Sequence, residues 1–478
     1  MYPGDERYLG KDWRAALALY SDAARLDPAL SAQLSLPLLI AHCRIELADD
    51  PASLPLPTDL PAPVRTARED YSIKVLRARA LELCRAGDPV RASSVLRLMA
   101  CYDDTLATAY RRNFAAGRSD EAAVAGEPPR FLGALGIDAL PVDAIKRRHR
   151  GERVLLVYRR FFPEGDGRRG EVINCLAVTA ERFGLSATPF AFRDQDPGAL
   201  ASALLREILA VKPDLIVYDH RVPDSVSPEP ALARQQIESV FETARRELGV
   251  RVVISFMDAW EQLRVGAADL YRGVGRAFDL LQHGHPAALD IGSPEQAART
   301  FCYTLPAWLP DPPAVAPGTI ARACFAGSIA WFNYTRVAWW AETARRGLPI
   351  DFLETLHHEG PPRTDQAYAN LLAQYQIALN FTARTGDLRI MTGRTLDVPL
   401  AGGVLVEEHT ENTDFFLSPG THYVPFTTLD DLAAVLAALL ADPVRRERIR
   451  SAGQRWVETY FTGDHFWAGL LHRLDALR

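Results

Sequence analysis

From Arg153 to the C-terminus, short apolar runs alternate with amphipathic helical stretches, and they do so in two separate series. That alternation leaves few folds open. In the first series RVLLVYR, LSATPFAF, DLIVYDH, RVVISFMD and AFDLLQH read as strands, with helical periodicity over 171–183, 199–211, 230–248 and 262–271. In the second, ARACFAG, IDFLET, QIALNF and Val404–Val406 read as strands, with helices at 334–346, 366–374, 429–442, 443–461 and 464–477. Near-continuous apolar strands joined through helices imply parallel sheets covered on both faces. The stretch PAWLPDPPAVAP (306–317) separates the series as a hinge. The expected fold class is α/β, with two Rossmann-like, doubly wound domains at 151–312 and 313–478 facing each other across a cleft.

Residues 1–130 have a different pattern. Trp13, Ala16, Leu17, Tyr20, Ala23, Ala24, Leu26 and Pro28 follow the small-and-large order of a tetratricopeptide helix pair. A second pair spans 71–99 and turns at Ala86-Gly87-Asp88-Pro89, while Pro51–Pro63 interrupts the array as a linker. The expectation is a TPR-like helical domain. Such stacks bind other proteins, and a packing or dimerisation module is the alternative.

The composition is that of a globular protein: 48% apolar and 24% charged residues over 478 positions. A net charge of −6 argues against a general nucleic-acid binder. No apolar run reaches the roughly 18–20 residues of a membrane span, and the polar N-terminus lacks a signal-peptide core. The six cysteines are scattered, with no zinc-like spacing, which suits reduced thiols in the cytoplasm.

Chemistry concentrates in TGRTLDVPLAGGVLVEEHTENTDFF (392–416). Thr392 reads as an N-cap, with Gly393 and Arg394 opening a helix. Free backbone N–H groups beside an arginine suit a diphosphate. Asp397 lies one turn on, within reach of a ribose hydroxyl, and Gly402 and Gly403 end the helix. Glu407 and Glu408 fall at the carboxyl end of the next strand, where open α/β sheets bind ligands. The competing reading is an ordinary αβ unit with a surface Arg–Asp pair.

Gly327 and Ser328 end the first strand of the second series and lie where a phosphate would sit, and Arg336 opens the next helix with Asn333. A plain strand–turn–helix junction accounts for them equally well. Asn380–Asp387 (NFTARTGD) is a set of sugar contacts or a solvated loop. In the first domain Asp258 ends RVVISFMD and is a general base or an N-cap. His220, at the end of DLIVYDH, is a second candidate base, and His283 and His285 hold a similar position. GDGRRG (165–170) fits GxGxxG but follows its strand too late for a dinucleotide fingerprint.

The second series resembles the CgeB-like (spore-maturation-protein type) glycosyltransferases of GT-B fold. The resemblance is carried by CFAGS, the Arg336 helix, IALNF, GRTLDVPLAGGVLVEE, DFFLSPGTHYVPF and DDLAAVLAALLADPVRRERIRSAG. It implies a nucleotide-sugar donor on the second domain, with Arg394 on the diphosphate, Asp397 at the ribose-binding carboxylate position and Gly402 on the helix-ending glycine. Relatives usually carry glutamate where this chain has Asp397. Retaining relatives carry a second glutamate where this chain has Arg389. The fold generally uses no bound metal and no cofactor beyond the donor itself. The helical front resembles that of bacterial transferases acting on proteins.

These readings converge on a cytoplasmic glycosyltransferase. Asp258 or His220 would be the base, and Gly327, Ser328, Arg336, Arg394, Asp397, Gly402 and Glu407 would hold the donor. The rivals are a non-catalytic scaffold of the same fold, a nucleotide-sugar epimerase and a nicotinamide enzyme using the GxGxxG loop.

Overall fold

The computed structural model describes residues 7–26, 36–54, 67–117, 129–158, 172–191, 199–221, 227, 229–256, 267–307, 309, 312–329, 334–354, 365–383 and 388–477. Asp258, the 165–170 glycine loop, Trp331 and Asn333 lie outside them.

Two sheets, each wholly parallel, carry the strands. The first contains β1 (Arg153–Tyr158), β2 (Ser186–Ala191), β3 (Leu215–Asp219), β4 (Arg251–Phe256), β5 (Leu280–His283) and β6 (Thr300–Cys302), in the order β2-β1-β3-β4-β5-β6. The second contains β7 (Ile320–Gly327), β8 (Ile350–Glu354), β9 (Tyr375–Asn380), β10 (Leu405–Glu408) and β11 (Val424–Phe426), in the order β11-β10-β9-β7-β8. Strands β3, β4 and β5 are buried at every residue, as strands covered on both faces must be. The α/β class with two parallel sheets and a helical front is what the alternation predicts. The three-residue strands β6 and β11 and the short helix Glu411–Phe416 are additions. Each is too short to show a period in sequence.

The front comprises helices Trp13–Leu26, Leu36–Leu47, Ala67–Arg85, Pro89–Ala100 and Asp104–Asn113. Gly87 turns with φ +76°, and Asp88 caps the following helix by accepting the Arg91 N–H at 3.0 Å. The first two helices close a small core around Tyr8, Ala16, Tyr20, Leu36 and Cys43. The later ones share a core with the second sheet, where Leu96, Met99 and Leu106 join Trp339, Phe381 and Phe426.

The chain also crosses back at its end. Helix Gly463–Asp475 packs on helix Val172–Phe183 of the first half. Trp467 Nε1 donates to Thr179 Oγ1 at 3.1 Å. A Cβ on Gly463 would sit 2.4 Å from Thr179 Cβ, so the crossing needs glycine there. The Lys146 and Arg148 side chains pair with Asp464 and Asp475 along the same seam.

Candidate functional site

The carboxyl ends of β7, β9 and β10 converge on the start of helix Gly393–Leu400. Arg394 lies across the end of β7. Its Nε donates to Ala326 O at 2.8 Å and its Nη1 to Asn380 Oδ1 at 2.7 Å, and the guanidinium carbon stands 4.5 Å from the centre of the Phe325 ring. A Cβ at Gly327 would fall 1.9 Å from Arg394 Nη2. The guanidinium therefore occupies the space that glycine leaves, and Gly327 and Arg394 are brought together as one unit. Arg394 is half-buried, and among the described residues it forms no ion pair with a carboxylate.

Asn380, the last residue of β9, holds Arg394 and is itself held from below. Its Nδ2 donates to Glu407 Oε2 at 2.6 Å and lies 3.0 Å from Thr392 Oγ1. Glu407 is fully buried and also accepts from Thr395 Oγ1 at 2.7 Å and from the Thr413 hydroxyl. Burial pushes its carboxyl up to about 7, against the opposing pull of the Asn380, Thr395 and Thr413 hydrogen bonds and the Arg394 charge. The order is thus Glu407, Asn380, Arg394, Ala326. Glu407, placed among donor contacts by its strand-end position, has no exposed surface and reaches the site only through Asn380.

Glu408 is equally buried and faces the other way. It accepts from the backbone N–H groups of Thr382 and Ala383, both at 3.0 Å, from Arg389 Nε at 3.3 Å and from Asn113 Nδ2 at 2.7 Å.

The remaining second-half candidates fall at different distances from this centre. Asp397 is half-buried and accepts from the Tyr368 hydroxyl at 3.3 Å. Its charge reaches the Cys175 thiol of the first half, which burial raises and Asp397 raises further. Ser328 follows Gly327, half-buried, and its carbonyl accepts from Arg336 Nη1 at 2.9 Å. Arg336 is buried, directs Nη2 to Phe381 O at 3.5 Å and lies 5.4 Å from the Phe325 ring centre. The Ser328 and Phe381 carbonyls thus accept from this arginine, which the sequence offers as a donor contact or as part of a plain junction. Gly402 stands apart. It ends the helix with φ +79° beside Arg450 and Gln454, roughly 12 Å along the axis from Arg394 for an eight-residue helix. Its left-handed φ ends the helix, as the sequence reading expects.

In the first half, His220 is buried against Phe256 with ring centres 4.4 Å apart, and its Nδ1 lies 3.2 Å from Ser255 O. A carbonyl can only accept, so Nδ1 carries the proton and Nε2 is the basic nitrogen of the neutral ring. The turn after β5 touches the second half. With its amide nitrogen turned toward Gly284 O (3.1 Å), Asn412 accepts from Met391 N at 3.0 Å. His285 is pushed down to about 4 by burial and has the Arg389 backbone as its partner. The carboxyl ends of the two sheets therefore meet here.

The sequence reading did not anticipate Asn113, Asn412 or Thr395. Thr395, three residues past the cap, was a readable signal. Asn113 and Asn412 carry none, because their partners are distant in sequence or on another element.

No curated protein matches the chain by sequence. Solved structures overlap it at low similarity, three of them as follows. HepE from Anabaena, in complex with UDP and glucose, has 14% identity and a TM-score of 0.43 over 65% of this chain and 96% of its own. Sucrose-phosphate synthase from Thermosynechococcus elongatus has 10% identity and a TM-score of 0.46 over 67% and 98%. A glycosyltransferase from Rickettsia africae has 9% identity and a TM-score of 0.43 over 68% and 98%. In sequence, residues 319–472, which hold every part of the Arg394 site except Asn113 and the first-half turn, match the family described as Glycosyl transferase-like.

Proposed function

We propose that this chain is a GT-B glycosyltransferase of the CgeB-like type, moving a sugar from a nucleotide-diphosphate donor to an acceptor hydroxyl. The observation that carries the reading is Arg394. It is half-buried, fixed by Ala326 O and Asn380, fitted against Gly327 and not neutralised by a carboxylate of its own chain among the described residues. Holding a cation in place without a counter-ion is costly unless an anion completes it. The N-terminus of helix Gly393–Leu400 adds the Gly393 and Arg394 backbone N–H groups beside it, which a helix start leaves without an intrahelical partner. The family match of residues 319–472 supports the same reading.

In this reading Arg394 and the helix start stabilise the diphosphate as it leaves, so the reaction needs no resident metal. Asp397, oriented by Tyr368, takes the ribose. Arg336 shapes the Ser328 loop under the phosphates. Asp258 or His220 on the first half accepts the acceptor's proton, and for His220 the atom is Nε2. The setting is cytoplasmic, and the outer surface of the helical front receives a protein acceptor or partner. Among the described residues no helix is long and apolar enough to cross a membrane.

The test is a thermal-shift screen of nucleotide diphosphates and their sugars, followed by product analysis with donor alone and with candidate acceptors. A ligand that binds only the folded state raises its melting temperature. Transfer to an acceptor supports the reading, donor isomerised without an acceptor favours the epimerase, and no response to any nucleotide rejects it.

A further inference from the structure

The helical front does not sit beside the second sheet as a separate module. It reaches into the floor of the Arg394 site. Ser93 Oγ donates to Glu342 Oε1 at 2.6 Å, and Glu342 is fully buried. Phe114 packs edge-on against Trp339 with ring centres 4.7 Å apart. Gly117 N donates to Asp430 Oδ2 at 2.6 Å, and Thr428 Oγ1 donates to Gly117 O at 2.9 Å. Between these contacts Asn113, the last residue of helix Asp104–Asn113, is 1% exposed and uses both ends of its amide on charged groups. Its Nδ2 donates to Glu408 Oε1 at 2.7 Å, and its Oδ1 accepts from Arg389 Nη2 at 3.1 Å.

Those two charges define the loop that delivers Arg394. The other Glu408 oxygen holds the Thr382 and Ala383 amides. Ala383 bridges Arg389, and Ile390 N donates to Thr382 O at 3.1 Å. Two residues later Thr392 opens the Arg394 helix. The Arg389–Glu408 contact is long at 3.3 Å, and Arg389 Nη1 is buried with no hydrogen-bond partner among the described residues. A buried ion pair so incompletely satisfied depends on its remaining hydrogen bonds, and a side-chain amide is the neutral group able to serve both charges at once.

We propose that Asn113 is a positioning residue for the donor site, so that the helical front is an integral part of the nucleotide-binding half. This rests on the donor reading above for the ligand, but the coupling of Asn113 through Glu408 and Arg389 to Thr382 and Ala383 stands on geometry alone.

Two measurements on the full chain separate these parts. Asn113→Ala is compared with Ser93→Ala, which breaks a contact of the same interface without touching Arg389 or Glu408. Hydrogen exchange is read at the peptide covering 382–390, and UDP is titrated by calorimetry well below each variant's melting temperature. The expected result is faster exchange at 382–390 in Asn113→Ala only, with UDP affinity about tenfold weaker, the loss of roughly one hydrogen bond to a charged group. Ser93→Ala lowers the melting temperature but keeps both readouts at the unaltered values. Unchanged exchange in Asn113→Ala overturns the coupling, whatever binds. Faster exchange with unchanged UDP affinity overturns the positioning role. If none of UDP, dTDP and GDP, titrated in the same way, binds the unaltered chain, the donor reading and the positioning role are both overturned, and the exchange data still decide the coupling.

Discussion

At the carboxyl end of the first sheet, polar residues close on one another. Asp219, Ser255 and Gln282 are register neighbours across β3, β4 and β5. Arg221 grips Asp219 through Nε and Nη2 at 3.0 and 2.9 Å, Ser255 Oγ donates to Gln282 Oε1 at 2.5 Å, and Gln282 Nε2 donates to Tyr303 O at 2.5 Å. Tyr158, at the end of β1, has a buried hydroxyl with no partner among the described residues. The second sheet does the reverse. Asn380 and Glu407 are register partners across β9 and β10, and their hydrogen bonds lead outward to a half-buried guanidinium. The same strand-end positions are self-contained in one sheet and lead outward in the other, which is why the donor is proposed for the second sheet.

The largest expected effect comes from Glu407. A buried carboxyl raised from 4.5 to about 7 binds a proton that the unfolded chain has already released between those pH values, so stability falls as pH rises through this window. The contribution is about 3 kcal/mol at most. Glu407→Gln imitates the protonated acid, so its stability relative to the unaltered chain should climb by that order between pH 4.5 and 8 in denaturant melts. A constant difference across pH would show that Glu407 is ionised throughout. Next, Gly327→Ala forces its methyl into Arg394 Nη2. It should cost about 1–3 kcal/mol of stability, the range for overpacking, and weaken nucleotide binding alongside. A variant that binds normally would mean the guanidinium works from another position. The smallest effect belongs to the first sheet. Tyr158→Phe removes a buried hydroxyl with no partner among the described residues and should cost less than the roughly 1 kcal/mol of a made hydrogen bond. A larger loss in thermal melts would mean that the hydroxyl is engaged after all, and the contrast between the sheets would narrow.

The sequence made the strands legible because fully buried β3, β4 and β5 read as unbroken apolar runs bounded by helical periodicity. It made the helix start at Gly393 and Arg394 legible because glycine, arginine and a cap residue at such a start have a local physical meaning. It did not separate Arg336 from Arg394. Both are arginines near a helix start, and only the packing shows that one is taken up by Ser328 and Phe381 carbonyls. Glu407 looked like a ligand contact because strand-end position does not reveal whether a side chain ends in solvent or under Asn380. Asn113 was illegible for another reason: its partners lie 276 and 295 residues away, beyond any periodicity or spacing rule.

The account turns on whether Arg394 receives a nucleotide diphosphate. Titration calorimetry of UDP, dTDP and GDP against the unaltered chain, Arg394→Lys and Arg394→Ala tests it most directly. Binding of at least one nucleotide is expected. Arg394→Ala should lose about 1.5–3 kcal/mol of that affinity, and lysine, which keeps the charge without the planar fork, should restore only part of it. Equal affinity in all three proteins, or none in the unaltered chain, would contradict the account.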